Sequence, residues 1–201
     1  DLASKKLRVE ELEKRLEEPG FWDDPEVSQQ VMKELKGLQD SVKEIEKLYS
    51  DYEDMMLLIE MSEEEDSEET AEEIEEELQQ FEETFEELRI GTLLTGPYDR
   101  DNAIVTLHAG AGGTESCDWT GMLYRMYTRW AEKKGYSIEE LDYLEGDVAG
   151  VKGVTFEVKG ENAYGYLRSE KGVHRLVRIS PFNSAGKRQT SFASCDVIPD
   201  I

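Results

Sequence analysis

Two hundred and one residues with 38% hydrophobic and 9% aromatic content can bury one or two ordinary cores, and no apolar run approaches the roughly 18–20 residues of a membrane span. The formal charge of −24 argues on average against a nucleic-acid partner, but it is unevenly spread: residues 1–90 carry 32 acids and 10 bases, net −22, and residues 91–201 carry 15 and 13, net −2. Cys117 and Cys195 lie far apart with no C-x-x-C and no neighbouring His pair, which speaks against a zinc or redox motif, and nothing near Asp1 reads as a signal peptide, so a cytoplasmic chain with free thiols is expected.

In chain order, Leu2, Val9, Leu12 and Leu16 predict a helix that ends before Pro19-Gly20. Asp24-Pro25 is a helix start, since Asp caps free N–H groups and Pro has none to lose at the first helical position. Val31, Leu38, Ile45, Tyr52 and Ile59 then recur every seven residues, with Leu35, Val42, Tyr49 and Met56 four later, predicting one long apolar stripe. Ala71, Ile74, Leu78, Phe81, Phe85 and Leu88 mark a return helix, with the turn expected in the acidic run 62–69. Gly91 to Pro97 breaks the period, so a boundary is expected at 91–98 between a helical domain, 1–93, and a second domain, 98–201.

Beyond it the texture is of short β runs between glycines: a strand over 102–109, a helix over 116–135 burying Trp119, Met122, Leu123, Met126 and Trp130 before Gly135 stops it, strands near 137–144 and 153–159, a short helix near 163–169, and strands near 174–179 and 191–198. The fold class is α+β: an N-terminal helical bundle or antiparallel coiled coil, then a mixed α/β domain whose C-terminal end is expected to be incomplete.

The glycine run His108 to Glu115 joins a strand to a helix, yet it is no phosphate loop. It lacks the G-K-[ST] lysine, and its glycines miss the dinucleotide spacing. It is a tight turn onto a helix N-terminus whose backbone N–H groups can bind an acceptor. Only His108 and His174 are present, with no nucleophile–base spacing and no metal-ligand cluster, so no catalytic residue, metal or cofactor is expected; His174 reads as a hydrogen-bonded scaffold residue. Between residues 165 and 190, Arg168, Lys171, Arg175, Arg178, Lys187 and Arg188 oppose Glu170 alone, a net +5 that can meet phosphate. Within it, Ser180-Pro181-Phe182-Asn183-Ser184-Ala185-Gly186-Lys187-Arg188-Gln189-Thr190 is a loop of hydroxyls and amides with a rigid Pro, an aromatic and two bases. Composition alone makes it first a surface hairpin, and second a loop suited to single-stranded RNA.

The segments GAGGTES at 110–116, YGYLRSEKGVHRLVRISPF at 164–182 and TSFAS at 190–194, in that order, resemble the bacterial class I peptide chain release factors, and Ser-Pro-Phe resembles the release factor 2 type rather than the P-x-T of release factor 1. The likeness is dense over 98–201 and looser, carried by FWDDP at 21–25 and the helical layout, over the rest. It implies binding at the small-subunit decoding centre and rRNA, recognition of UGA or UAA in mRNA, and peptidyl-tRNA hydrolysis promoted by a separate GGQ domain. No GGQ occurs in these residues, so the chain itself is expected not to act as an enzyme. By resemblance, Gly112 and Glu115 hold the first base, Ser180 and Phe182, set by Pro181, read the second, and Thr190 the third. The family carries an acid after Ser-Pro-Phe and a base-stacking histidine before the threonine; here Asn183 and Gln189 stand there, Asn183 able to pin the loop and Gln189 without an aromatic face. Lys187 and Arg188 are expected at phosphates. The acidic residues 1–93 would be repelled by rRNA, which leaves basic proteins at the base of the large-subunit stalk, or plain solvation, as their role in a monomer. Two other readings stay open: a relative that binds ribosome or RNA as a rescue or stabilising factor without terminating, and a coiled-coil adaptor.

Overall fold

The computed structural model describes residues 1–64 and 68–201, in two compact units, Asp1–Arg89 and Ile90–Ile201. The first is helical: α1 (Leu2–Leu16), α2 (Pro25–Glu64) and α3 (Glu68–Thr92). Asp24 starts α2 as its neighbours predict, its carboxylate accepting from the N–H groups of Glu26 and Val27 at 3.1 and 3.3 Å. A 3₁₀ turn, Phe21–Asp23, drops Phe21 beside Leu12, Val31 and Leu35, and these four form the buried core. The central part of the expected turn, residues 65–67, lies outside the described residues.

The apolar stripe of α2 needs correction. Tyr49, Tyr52 and Met56 are exposed, while Met55 is buried and Leu48 and Leu58 are half-buried. The first part of α2 packs against α1, Leu12 meeting Val31 and Leu35, and the later part faces α3, where Phe81 meets Tyr52, so burial follows two partners and not one continuous line. No residue of α3 is buried; Phe81 meets Tyr52 at 6.2 Å between ring centres, and Leu78 and Phe85 are exposed.

The second unit is one antiparallel sheet with a helix across it. Strands β1 (Asn102–Ala109), β2 (Ser137–Glu145), β3 (Val151–Lys159), β4 (Gly172–Ile179) and β5 (Arg188–Asp200) lie in the order β2-β3-β1-β5-β4. Helix α4 (Thr114–Lys134) and short α5 (Ala163–Leu167) complete it. Alternation puts Ala103, Val105 and Leu107, Val154, Phe156 and Val158, and Ala193, Cys195 and Val197 on one face, packed with Leu123, Tyr127 and Ala131 of α4. Trp119, Met122 and Trp130 are only half-buried and Met126 is exposed, against the expectation for this helix. The buried line is Ser116, Thr120, Leu123, Tyr127 and Ala131, in steps of three and four.

One feature of register positions the site. Strand β5 pairs with β1 over 193–200 and with β4 over 188–195, so only 193–195 have neighbours on both sides. Residues 175–179 and 188–192 therefore form a two-stranded ribbon that extends past the end of β1, with loop 180–187 at its tip.

Candidate functional site

The ribbon lies against the N-terminus of α4, and the glycine run makes that approach possible. Gly110 donates its N–H to the Phe192 carbonyl at 2.8 Å, and a Cβ there would sit 2.8 Å from the same oxygen. Gly112 has φ +129°, a conformation closed to other residues, and a Cβ on it would meet Ser191 Cβ at 3.2 Å and Ser116 Cβ at 3.4 Å. The Ser116 hydroxyl lies within hydrogen-bond reach of the carbonyls of Gly110 and Gly113, at 2.9 and 2.8 Å, and fixes the turn. No side chain caps α4, so the N–H groups of its first turn, Thr114, Glu115 and Ser116, have no helix acceptor. Ser191, fully buried under Gly112, has a hydroxyl without a protein partner.

At the centre is a charged cluster that joins the helix tip to the loop. Arg178 Nε donates to Glu115 Oε1 at 2.6 Å, and its Nη2 to Glu115 Oε2 at 3.1 Å and to Asp118 Oδ2 at 2.5 Å. The Ser180 hydroxyl donates to Glu115 Oε2 at 2.5 Å and accepts the Phe182 N–H at 3.1 Å. Glu115 is 7% exposed and Ser180 4%. The Arg178 guanidinium holds the Glu115 carboxyl below the usual carboxylate range; burial opposes this, and the Ser180 hydroxyl adds to it. The same bonds raise Arg178, which stays cationic.

The loop is a pair of turns. Asn183 N–H reaches the Ser180 carbonyl at 3.2 Å with Pro181 at the position where its fixed φ belongs. Asn183 Oδ1 accepts the Ala185 N–H at 2.9 Å, and the Asn183 carbonyl accepts that of Gly186 at 3.3 Å. This leaves Phe182 exposed at the tip, with Pro181, Lys187 and Arg188 also exposed.

Among the residues singled out from sequence, Glu115 and Ser180 are in direct contact, with Gly112 beside them on Ser191. Gln189 is half-buried opposite Arg178, on the α4 side of β5 by alternation. Thr190 faces the other way, exposed and opposite Val177. His174 has the scaffold place expected of it: its Nε2 is 2.7 Å from the Glu170 carbonyl, and its own carbonyl accepts the Trp119 indole N–H at 3.0 Å. Tyr127 donates to Glu170 at 2.8 Å below, and burial pushes its phenol up. Arg178 and Asp118 were missed as site residues. The sequence did hold a signal, since His174, Leu176 and Arg178 share the inward face of β4, where an Arg requires a carboxylate partner.

Three comparisons bear on this geometry. Residues 5–195 match the PCRF domain family. The whole chain is 55% identical to peptide chain release factor 2 of Clostridium perfringens strain SM101, over 55% of that protein, and 48% identical to the same factor of Listeria innocua, also over 55%. A solved structure, release factor 2 of Thermus thermophilus, matches all of the chain and 56% of its own length at 46% identity and a TM-score of 0.57. The chain thus spans about half the length of these relatives. By the family match over nearly the whole chain and the identity to each relative, the chain belongs to the bacterial class I peptide chain release factors, of the release factor 2 type.

Proposed function

We propose that this chain forms the stop-codon-reading part of a translation termination factor, which recognises UGA and UAA at the small-subunit decoding centre. Hydrolysis of peptidyl-tRNA would be promoted by a GGQ segment outside the 201 residues. The observation that carries the reading is the contact between two motifs 65 residues apart, the Ser180 hydroxyl on the Glu115 carboxylate at the tip of α4. It joins a helix N-terminus with free N–H groups, suited to the acceptor oxygens of a first-position uracil, to a turn that exposes Phe182 and holds the nearly buried Ser180 beneath it, where the next base would meet both. Thr190 would read the third base, and Lys187 and Arg188 would meet phosphates. The acidic helical unit would meet basic protein surfaces at the base of the large-subunit stalk in a cytoplasmic monomer; among the described residues no helix is long and apolar enough to cross a membrane.

The test is peptide release from ribosomes programmed with UGA, UAA and UGG by a full-length factor that carries this chain. Phe182→Ala with Ser180→Ala should lower release on both stop codons about 30-fold or more, since two direct base contacts at about 1–3 kcal/mol each are lost. Unchanged release on both would refute the reading. One observation favours the alternative of a ribosome-binding relative without termination activity: Gln189, half-buried beside Arg178, offers no aromatic face to a base. Gln189→His should therefore rebalance release among UAA, UGA and UGG.

A further inference from the structure

Ser180 has one proton to give and two lone pairs, and the structure fixes two of these three. The proton goes to Glu115 Oε2 and one lone pair takes the Phe182 N–H, so a single acceptor position is left. A second-position adenine presents an amine donor and guanine a carbonyl acceptor. The free lone pair can accept from adenine without disturbing the cluster. To donate to guanine, the hydroxyl must turn its proton away from an ionised carboxylate, and hydrogen bonds to charged groups are about twice as strong as neutral ones. Arg178 weakens that hold by sharing both Glu115 oxygens, and Asp118 fixes Arg178 in turn.

From this we infer that Glu115 and Arg178 are positioning residues that set the balance between adenine and guanine at the base Ser180 reads, by fixing where the serine proton points. The inference rests on the codon-reading function proposed above and adds the device that tunes it. Glu115→Gln makes the sign of the effect plain. With Arg178 donating to the remaining amide oxygen, the new NH₂ faces Ser180 and fills its second lone pair, so only the proton is free, and guanine is the base it suits.

The experiment compares kcat/KM for release on UGA and on UAA, again in a full-length factor carrying this chain. Glu115→Gln should move the UGA-to-UAA ratio about tenfold toward UGA, the size of one hydrogen bond gained on one codon and lost on the other. Arg178→Lys, which keeps the charge but loses the two-pronged grip, should move it toward UAA by strengthening the bond from Ser180 to Glu115. An equal fall on both codons, which loss of the shared first-base contact or of the fold would give, would assign the cluster no part in the choice and overturn the inference, as would no change on either. The unmodified factor offers a measurement free of folding effects: replacing the second-position adenine by purine should slow release more than replacing guanine by 2-aminopurine, and equal losses would also overturn it. Ser180→Ala separates the two claims. If it leaves both codons untouched, codon reading itself fails, whereas if it slows both while Glu115→Gln leaves the ratio fixed, only the inference does.

Discussion

The two units bury their chains by different means. In Asp1–Arg89 the described core is four residues, Leu12, Phe21, Val31 and Leu35, at one end of a 40-residue helix, and α3 buries nothing. In Ile90–Ile201 the core runs through three central strands and α4, with Val105, Leu107, Phe156 and Val158 fully buried. A helix offers one stripe and needs a partner along its whole length to bury it; a sheet face gathers alternate residues of every strand under one helix. The lesson is that stability and charge are segregated here. The unit with net −22 rests on few apolar contacts, and the unit with a small net charge carries the core and the site.

Three changes would break or sharpen that contrast. The largest effect is expected from Phe156→Ala, about 3–5 kcal/mol from the second unit, whereas Leu35→Ala, at the edge of a four-residue core, should cost the first about 2 kcal/mol. Urea unfolding followed by far-UV dichroism and by tryptophan fluorescence should separate the two, and equal losses would erase the distinction. Next is the phase of α2: Met55→Ala should cost about 2 kcal/mol and its exposed neighbour Met56→Ala within about 0.5, with the order reversed if the seven-residue pattern governed the fold. The smallest is the acid limb of the second unit. Because the Glu115 carboxyl is held below its ordinary value, its contribution is present at neutral pH and is lost as pH falls through that lowered value. Glu115→Gln should flatten this limb in a pH series of denaturation midpoints, and an unchanged slope would show that the carboxylate is not held by Arg178.

Local rules were legible where one segment decides. Asp24-Pro25 starts α2, Asn102–Ala109 is a strand with alternating burial, and α4 closes at Gly135. What escaped was long-range. Which face of α2 is covered depends on the helix beside it, α1 over the first part and α3 over the later part, and no repeat within α2 itself records that change, which is why Tyr52 and Met56 are exposed against expectation. The chemistry of Met126 suits a core, but the residue stands on the outer side of the Leu123–Tyr127 line. For the site, the serine, the glutamate and the turn could be named from sequence, but the bond that makes them one object spans 65 residues. Pairing of that kind depends on strand order, which no local pattern of residues encodes.

The ribbon that projects past β1 has a mechanical consequence. Two strands alone are marginal in water, and here the ribbon is tied back at its base by the Trp119 indole on His174 and the Gly110 amide on Phe192, and at its tip by the Arg178–Glu115–Ser180 cluster, more than by apolar packing. Ties of this kind release singly. Backbone amides at 189–191 should exchange with solvent through local opening well before those at 193–195, with strands on both sides, and the gap should widen as acid neutralises Glu115. The molecule thus carries its reading tip on a spring whose stiffness is electrical, anchored in a sheet whose stiffness is not.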